Sequence, residues 1–301
     1  MKPCLEAESI SPSRMLRDRT SDFIELTKPK LTLLVLFTTF VGFCSGISGN
    51  IPFALLLHSL IGTALMSGGA SAFNMYTEQQ TDALMDRTAL RPIVSGRLRS
   101  GQALLFAFTI SLGGLVYLYV LVNHLTSLLS AIILACYLFL YTPLKTKTWL
   151  CTLVGAVPGA LPIVMGWTAA TGSIAPGACV LFAIVFCWQM PHFYAIGWMY
   201  RDDYKKAGLP VLSVIDMNGK KTGRQAVSFI FALVLISLLP MPMGLSGRVY
   251  PVGAVILGMM FLAFGIHFAH TRDRVSARRL FMVSAIYLPA LLILLVADRL
   301  A

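Results

Sequence analysis

Long apolar stretches, separated by short polar segments, make up most of the chain. Three of them are LTLLVLFTTFVGFCSGIS (31–48), LLFAFTISLGGLVYLYVLV (104–122) and VSFIFALVLISLLPMPMGL (227–245). Each approaches the roughly 20 apolar residues that a helix needs to cross a bilayer. None alternates apolar and polar residues as the strands of a membrane barrel do. The pattern predicts nine membrane-spanning helices, over about residues 31–49, 53–75, 101–122, 125–142, 149–170, 176–199, 224–245, 250–270 and 279–298.

The composition excludes a soluble protein. Of the 301 residues, 57% are hydrophobic and only 12% are charged, whereas soluble domains carry about 25% charged residues. We therefore predict an all-α, polytopic membrane protein, a bundle of about nine transmembrane helices forming a single domain over residues 29–301. Residues 1–28 mix acids and bases without an apolar core, which excludes a signal peptide. We predict that these residues form a polar cytoplasmic tail, and their composition is compatible with disorder.

The basic residues lie almost entirely on one side of the predicted membrane. The net charge is +11, and every lysine and arginine except Arg248 and Arg299 lies before the first span or at the loops after spans 2, 4, 6 and 8. An even number of spans separates these loops, so they share one face, which the positive-inside rule makes cytoplasmic. We predict a multi-pass protein of the cell inner membrane, with its N-terminus cytoplasmic and its C-terminus on the opposite side. Because the charge sets topology, it does not indicate nucleic-acid binding.

The first candidate site follows the second predicted span. If that helix continues past Met75, Asn74, Glu78 and Asp82 are spaced i, i+4, i+8 and share one stripe. Oxygen-bearing side chains of this kind suit Mg²⁺, which commonly bridges one or two carboxylates to a phosphate. Arg87 and Arg91 follow, and guanidinium groups match phosphate oxygens. The pattern predicts a Mg²⁺–diphosphate site, with a solvated, topology-setting loop as the alternative.

A second acidic cluster follows the sixth predicted span. Asp202 and Asp203 are adjacent, so they could both reach one cation only at a helix end or in a turn. The segment is punctuated by Gly208 and Pro210, which favours such a turn. None of the acidic residues lies deep in a span, which argues against a proton pump or a transporter with a mid-membrane carboxylate. The chemistry is therefore expected at the cytoplasmic mouth.

Four blocks of the sequence resemble the UbiA-type intramembrane prenyltransferases, in particular the branch whose members farnesylate heme. The resemblance covers about residues 22–298, essentially all but the tail. The blocks are DALMDRTALRP (82–92), YTPLK (141–145), GAVPGALPIVMGW (155–167), and the segment from WQMPHF to DDYKKAGLP (188–210).

The resemblance implies transfer of a farnesyl group from farnesyl diphosphate to the 2-vinyl group of heme B, with water addition, giving heme O and diphosphate. It implies Mg²⁺ as cofactor, heme B as substrate, membrane lipid as surroundings, and heme A synthase or terminal oxidase assembly machinery as a partner. The implied Mg²⁺–diphosphate ligands are Asn74, Glu78, Asp82, Asp202 and Asp203. The implied contacts to diphosphate or heme propionate are Arg87, Arg91, Lys145 and Arg201. His192, in the PHF segment, is the candidate heme contact.

The sequence departs from the family pattern at a few positions. Gln79 and Gln80 stand where Arg-Asp is frequent, so one acid is absent from the first cluster, and Thr146 interrupts the bases after YTPLK. Asp86 lies off the stripe of the first cluster and equally suits pairing with a basic residue.

Three other functions remain open at this stage. One is prenylation of an aromatic quinone precursor, against which DRTALRP and DDYKKAGLP argue. The others are a membrane transporter and a non-catalytic oxidase assembly factor. No mid-span ionisable residue or clear inverted repeat supports a transporter. The two acidic clusters favour an enzyme over an assembly factor.

Overall fold

A computed structural model describes residues 12–300 of the chain, and the side chains of residues 19–299. This part contains no β-strand and is built from long helices joined by loops, two of which, at residues 78–99 and 200–219, contain short helices. The long helices are α1 (Pro12–Leu26), α2 (Pro29–Gly46), α3 (Phe53–Thr77), α4 (Ser100–Leu121), α5 (His124–Leu144), α6 (Cys151–Thr171), α7 (Pro176–Met199), α8 (Lys220–Ile236), α9 (Val249–Thr271) and α10 (Arg274–Leu300).

Each predicted span corresponds to one helix from α2 to α10, which confirms the all-α, polytopic architecture. Within the described residues, eight of these helices have the length and hydropathy to cross a membrane by themselves. The exception is α8, which ends at Ile236 after 17 residues, nine residues before the predicted end at Leu245. Pro240 and Pro242 follow in a run of turns, and proline lacks the N–H that would continue the helix. The seventh span is therefore shorter than its apolar pattern predicted.

The predicted tail is partly ordered. Residues 1–11 lie outside the described residues, but α1 occupies most of the rest. The composition of the tail is compatible with disorder, but residues 12–26 are helical, and this helix contacts the loop after α3 and helix α4. Arg97 forms ion pairs with Asp22 and Glu25, and the Phe23 ring packs against Phe106 of α4 at 5.0 Å.

Helices α6 and α7 lie at the centre of the bundle, and α4 and α5 present most of their surface outwards. Glycine allows α2 to pack backbone-to-backbone against α6. A Cβ added at Gly42 would overlap the carbonyl of Ile163, and one at Gly166 would overlap the carbonyl of Thr39. Small residues at helix contacts are the usual means of close packing in membranes, where lipid provides no hydrophobic drive between helices.

The loops that carry the two acidic clusters pack against each other at one end of the bundle. Met85, after α3, is buried against Ala207 and Leu209, after α7. Lys206 also bonds Asp86 across this junction, with Nζ 2.9 Å from Oδ2. The bundle thus brings together two loops that are four spans apart in the sequence.

Candidate active site

A cavity of about 440 Å³ opens beside these loops and extends between the helices. Its walls come from α2, α3, α5, α6 and α7, with Leu288 of α10 at one side. Charged and polar side chains from the helix ends line one part, and apolar side chains such as Val35, Met66 and Trp188 line the rest. A ligand with a charged head and an apolar body would match this lining.

The first acidic cluster lies at the polar end of the cavity. Asn74, Glu78 and Asp82 are 3%, 6% and 1% exposed. Helix α3 ends at Thr77, but the Glu78 N–H bonds the Asn74 carbonyl at 2.9 Å and the Asp82 N–H bonds the Glu78 carbonyl at 2.8 Å. The helical spacing therefore persists through a short helix, Gln79–Asp82. Asn74 and Glu78 line the cavity, whereas Asp82 is buried outside its lining.

Each of these three oxygen-bearing side chains contacts one basic side chain. The ammonium of Lys28 donates to Asn74 Oδ1, and Lys145 Nζ lies 2.9 Å from Glu78 Oε2. Arg91 forms an ion pair with Asp82. Arg87 completes the basic lining, with its guanidinium 5.2 Å from the Tyr200 ring centroid. The cavity mouth therefore has more positive than negative charge and should attract an anion.

Burial and these neighbours set the protonation of the groups at the mouth. Burial alone would raise the pKa of Glu78, but Lys145 and then Lys28 outweigh it and hold that pKa below its ordinary value. Burial raises the pKa of Asp82, and Arg91 opposes the rise without cancelling it. Burial, followed by repulsion from Arg91, lowers the pKa of Lys28 to about 8. Lys28 therefore remains mainly an ammonium at pH 7.

The donor set at Glu78 fits a divalent cation. Glu78 Oε1 is buried and has no hydrogen-bond partner among the described residues, and a buried carboxylate oxygen is costly without one. Asn74 Oδ1 and the Asp82 carboxylate supply further oxygens of the type that Mg²⁺ prefers. The described residues nevertheless contain no group of three acidic, histidine or cysteine side chains already gathered around one point.

The second acidic cluster lies at the same end of the bundle but outside the cavity. Asp202 is exposed and Asp203 is half-buried, both in the first turn of the short helix Arg201–Lys206. Neither lines the cavity, although Tyr204, the next residue, does. Arg201 stacks on the Trp198 ring at 4.5 Å and also lies outside the cavity lining. The structure therefore places Glu78 and Asn74 in the cavity and the aspartate pair at its rim.

A π-helical segment shapes the wall next to Glu78. Within α5, residues Cys136–Tyr141 adopt π-helical hydrogen bonding, a feature often found at functional sites. Tyr137 and Tyr141 line the cavity, with their ring centroids 5.3 Å apart. Gly155 of α6 makes room for Tyr141, since a Cβ there would lie 2.6 Å from its ring. The wall is thus aromatic where the polar and apolar parts of the cavity meet.

His192 lies in the apolar part of the cavity. It is seven residues before the end of α7 at Met199. At the rise of an α-helix, this places it about 10 Å along the helix from that end. Its ring stacks on Trp188 at 5.0 Å and lies 4.9 Å from Phe281. Nδ1 bonds Ser284 Oγ at 2.7 Å.

Comparison of the sequence with known proteins points to a family whose chemistry suits this cavity. The family model described as "UbiA prenyltransferase family" matches residues 35–288. The chain belongs to the UbiA prenyltransferase family. It is accordingly an enzyme, a prenyltransferase, and a multi-pass membrane protein.

Curated relatives within this family are similar over nearly their whole length. A protoheme IX farnesyltransferase from Solibacter usitatus is 46% identical over 287 residues, covering 92% of this chain and 98% of the relative. One of the same name from Koribacter versatilis is 38% identical over 288 residues, covering 92% of this chain and 93% of the relative.

Solved UbiA-type structures share the fold at low sequence identity. A digeranylgeranylglyceryl phosphate synthase structure has a TM-score of 0.78 at 15% identity, covering 93% of this chain and 98% of that one. A UbiA homolog from Archaeoglobus fulgidus bound to GPP and Mg²⁺ has a TM-score of 0.64 at 14% identity, covering 91% of this chain and 99% of that one.

Sequence reasoning missed some residues that the structure places in the cavity or in contact with one of its side chains. In the sequence, Lys28 is one of several bases of the tail, although its position immediately before a proline-initiated first span is a signal. No pattern distinguishes Tyr137, and the YTPLK block gives Tyr141 no specific role. No sequence pattern marks Ser284, in the ninth span, because its role depends on a contact with His192 on another helix.

Proposed function

We propose that this prenyltransferase transfers the farnesyl group of farnesyl diphosphate to the 2-vinyl group of heme B, with addition of water, giving heme O and diphosphate. One observation carries the proposal: a single cavity combines a basic mouth around Glu78 with an apolar interior that contains His192. The basic mouth suits a diphosphate, and the apolar interior suits a polyprenyl chain and a porphyrin. The curated relatives, named protoheme IX farnesyltransferase, support the same substrates.

The basic side chains at the mouth stabilise the departing diphosphate. Asp82 orients Arg91 and Glu78 orients Lys145, and Lys28 and Arg87 line the same cavity. Fixed cations aimed at a site of developing negative charge lower the barrier because they need no reorganisation during the reaction. Bound Mg²⁺, held by Asn74, Glu78 and Asp82, would supply further neutralisation of the diphosphate oxygens.

Asp202 and Asp203 remain proposed ligands for Mg²⁺–diphosphate, and Arg201 remains a proposed contact to diphosphate or propionate. The described residues offer neither aspartate carboxylate an ion pair, so both are available at the rim. Tyr204, on the same short helix, already reaches the cavity.

The apolar interior protects the reactive carbon. The C–O bond of farnesyl diphosphate breaks with its electron pair leaving on the diphosphate, and an allylic cation remains. The aromatic faces of Tyr137, Tyr141 and Trp188 can stabilise this cation, and the apolar walls exclude water from it. The vinyl group then attacks through its terminal carbon, and water adds to the resulting cation with loss of one proton.

The orientation of both substrates follows from the topology. The basic mouth lies with the basic loops, which we propose face the cytoplasm of a cell inner membrane, with the N-terminus on that side and the C-terminus opposite. Amphipathic substrates can enter from the lipid with their charged groups at this face. Heme A synthase or the assembly machinery of a terminal oxidase is the proposed recipient of the product.

The deciding experiment is mass analysis of hemes extracted from membranes supplied with heme B and farnesyl diphosphate. We expect the wild-type protein to give heme O, and Asp82→Asn to reduce its formation by at least about 10-fold, because the variant leaves Arg91 without its buried carboxylate. Asp86→Asn is the matched control, since Asp86 is exposed. Absence of farnesylated heme with the wild type would refute the proposed function, and an aromatic acid prenylated instead would indicate the quinone-precursor activity.

A further inference from the structure

His192 is held by a serine from α10, a helix that packs directly against α7. Ser284, on α10, is fully buried. Its Oγ lies 2.6 Å from the carbonyl oxygen of Phe281, one turn earlier in α10. The same Oγ lies 2.7 Å from Nδ1 of His192, which is 92 residues away in the sequence. Neither contact is explained by the acidic clusters or by diphosphate binding.

These two bonds determine where the protons are. A serine hydroxyl has one proton, and a carbonyl oxygen can only accept, so the hydroxyl of Ser284 donates to Phe281. Ser284 Oγ must then accept the bond from His192, whose Nδ1 therefore carries the proton. In a neutral imidazole with a protonated Nδ1, Nε2 keeps a lone pair. The described residues offer Nε2 no hydrogen-bond partner.

Aromatic side chains pack around the imidazole of His192. Trp188 stacks against the imidazole with an interplanar angle of 26°, and Phe281 lies 4.9 Å from it at 33°. Trp188 is itself fixed, because its indole N–H donates to the Ser284 carbonyl at 2.7 Å. His192 is among the residues that line the cavity. With Nδ1 occupied by Ser284 and aromatic rings packed against the imidazole, Nε2 is the nitrogen left to bind a ligand.

We propose that Ser284 is a positioning residue that holds His192 as an Nε2 ligand for the iron of the porphyrin substrate. This inference rests on the proposed function, since it names the contact by which that substrate is oriented. Histidines that bind a metal ordinarily donate their other N–H to an oxygen, which fixes the tautomer and strengthens the ligand. Ser284 provides that oxygen from α10, while α7 provides the histidine. Iron ligation at His192 would hold the porphyrin at one depth in the cavity. The porphyrin could then rotate only about the Fe–N bond.

The test is spectroscopic and uses the full-length protein in detergent with ferrous heme B alone, without farnesyl diphosphate. Resonance Raman spectroscopy reports the Fe–histidine stretching band, and a heme titration reports affinity. We expect the wild type to show the band and His192→Ala to lack it. Ser284→Ala should retain heme binding with a shifted or broadened band and about 10- to 100-fold lower affinity, the usual cost of losing such a partner.

Two further variants separate positioning from packing. Ser284→Cys keeps a weak acceptor of similar size, so its band and affinity should lie between those of the wild type and Ser284→Ala. Ser59→Ala is the matched control, since Ser59 is equally buried and bonds only a carbonyl of its own helix, at 2.7 Å. Ser59→Ala should leave the band and the affinity unchanged.

The inference and the proposed function fail in different ways. An unchanged Fe–histidine band and affinity in Ser284→Ala would overturn the inference, as would a wild-type band retained in His192→Ala. Either result could coexist with normal production of heme O, which would leave the proposed function intact. A Ser284-sensitive band in a protein that forms no heme O would instead support the contact and refute the reaction.

Discussion

Lys28 has the least expected surroundings of any residue at the cavity mouth. It precedes the first span with a positive φ of 47°, yet it reaches Asn74, 46 residues away, and lines the cavity. We predict that Lys28→Met raises the KM for farnesyl diphosphate and lowers kcat/KM about 10- to 100-fold, because a charged hydrogen bond contributes about 1.5–3 kcal/mol. Steady-state kinetics with varied farnesyl diphosphate measures this effect.

Lys30 provides the control for that prediction. It has the same charge and lies two residues away, but it is exposed and absent from the cavity lining. Lys30→Met should leave kcat/KM within about twofold, since surface charges act weakly through solvent. Equal losses in both variants would mean that Lys28 acts through general surface charge, and our assignment of it to the site would be wrong.

At the scale of elements, the contact between α2 and α6 depends on glycine. Both helices line the cavity, and Gly166 lets the carbonyl of Thr39 approach the α6 backbone. We predict that Gly166→Ala lowers the free energy of unfolding by about 1–3 kcal/mol, the usual cost of overpacking. The midpoint of thermal unfolding in detergent should fall accordingly.

Gly113 of α4 tests whether any glycine-to-alanine change has this effect. A Cβ added there would meet nothing within 4 Å. Gly113→Ala should keep or raise the unfolding midpoint, because alanine favours a helix by about 1 kcal/mol over glycine. If the two variants unfold at the same temperature, close packing of α2 on α6 does not determine stability.

At the scale of the whole molecule, the arrangement requires all loops at the cavity mouth to share one side of the membrane. Asn50, between α2 and α3, and Ser95, between α3 and α4, are exposed on opposite ends of the bundle. In a variant without its six native cysteines, we predict that a membrane-impermeant maleimide labels Asn50→Cys in intact cells. Ser95→Cys should react only after permeabilisation. The reverse pattern would place the cavity mouth outside the cell and contradict the proposed orientation.

Much of the architecture could be predicted without a structure, because the length and hydropathy of a span are local properties. A run of about 20 apolar residues is sufficient to identify a spanning helix, and eight of the described helices meet that requirement. The prediction was wrong at the end of α8, and the composition of the tail did not reveal its helix. Hydropathy does not record where proline-rich turns end a helix, or whether a polar helix finds an ion-pair partner such as Arg97.

By itself, the sequence determined the fold class, the family blocks and the burial-prone stripe of Asn74, Glu78 and Asp82, since helical spacing places those three residues on one side. Only the tertiary structure decided which partners meet them. Lys145 reaches Glu78 across 67 residues, and Ser284 reaches His192 across 92. The structure also placed Asp202 and Asp203, the second acidic cluster of the sequence, outside the cavity lining. Contacts between distant helices depend on how the whole bundle packs, and periodicity along one helix contains no information about that packing.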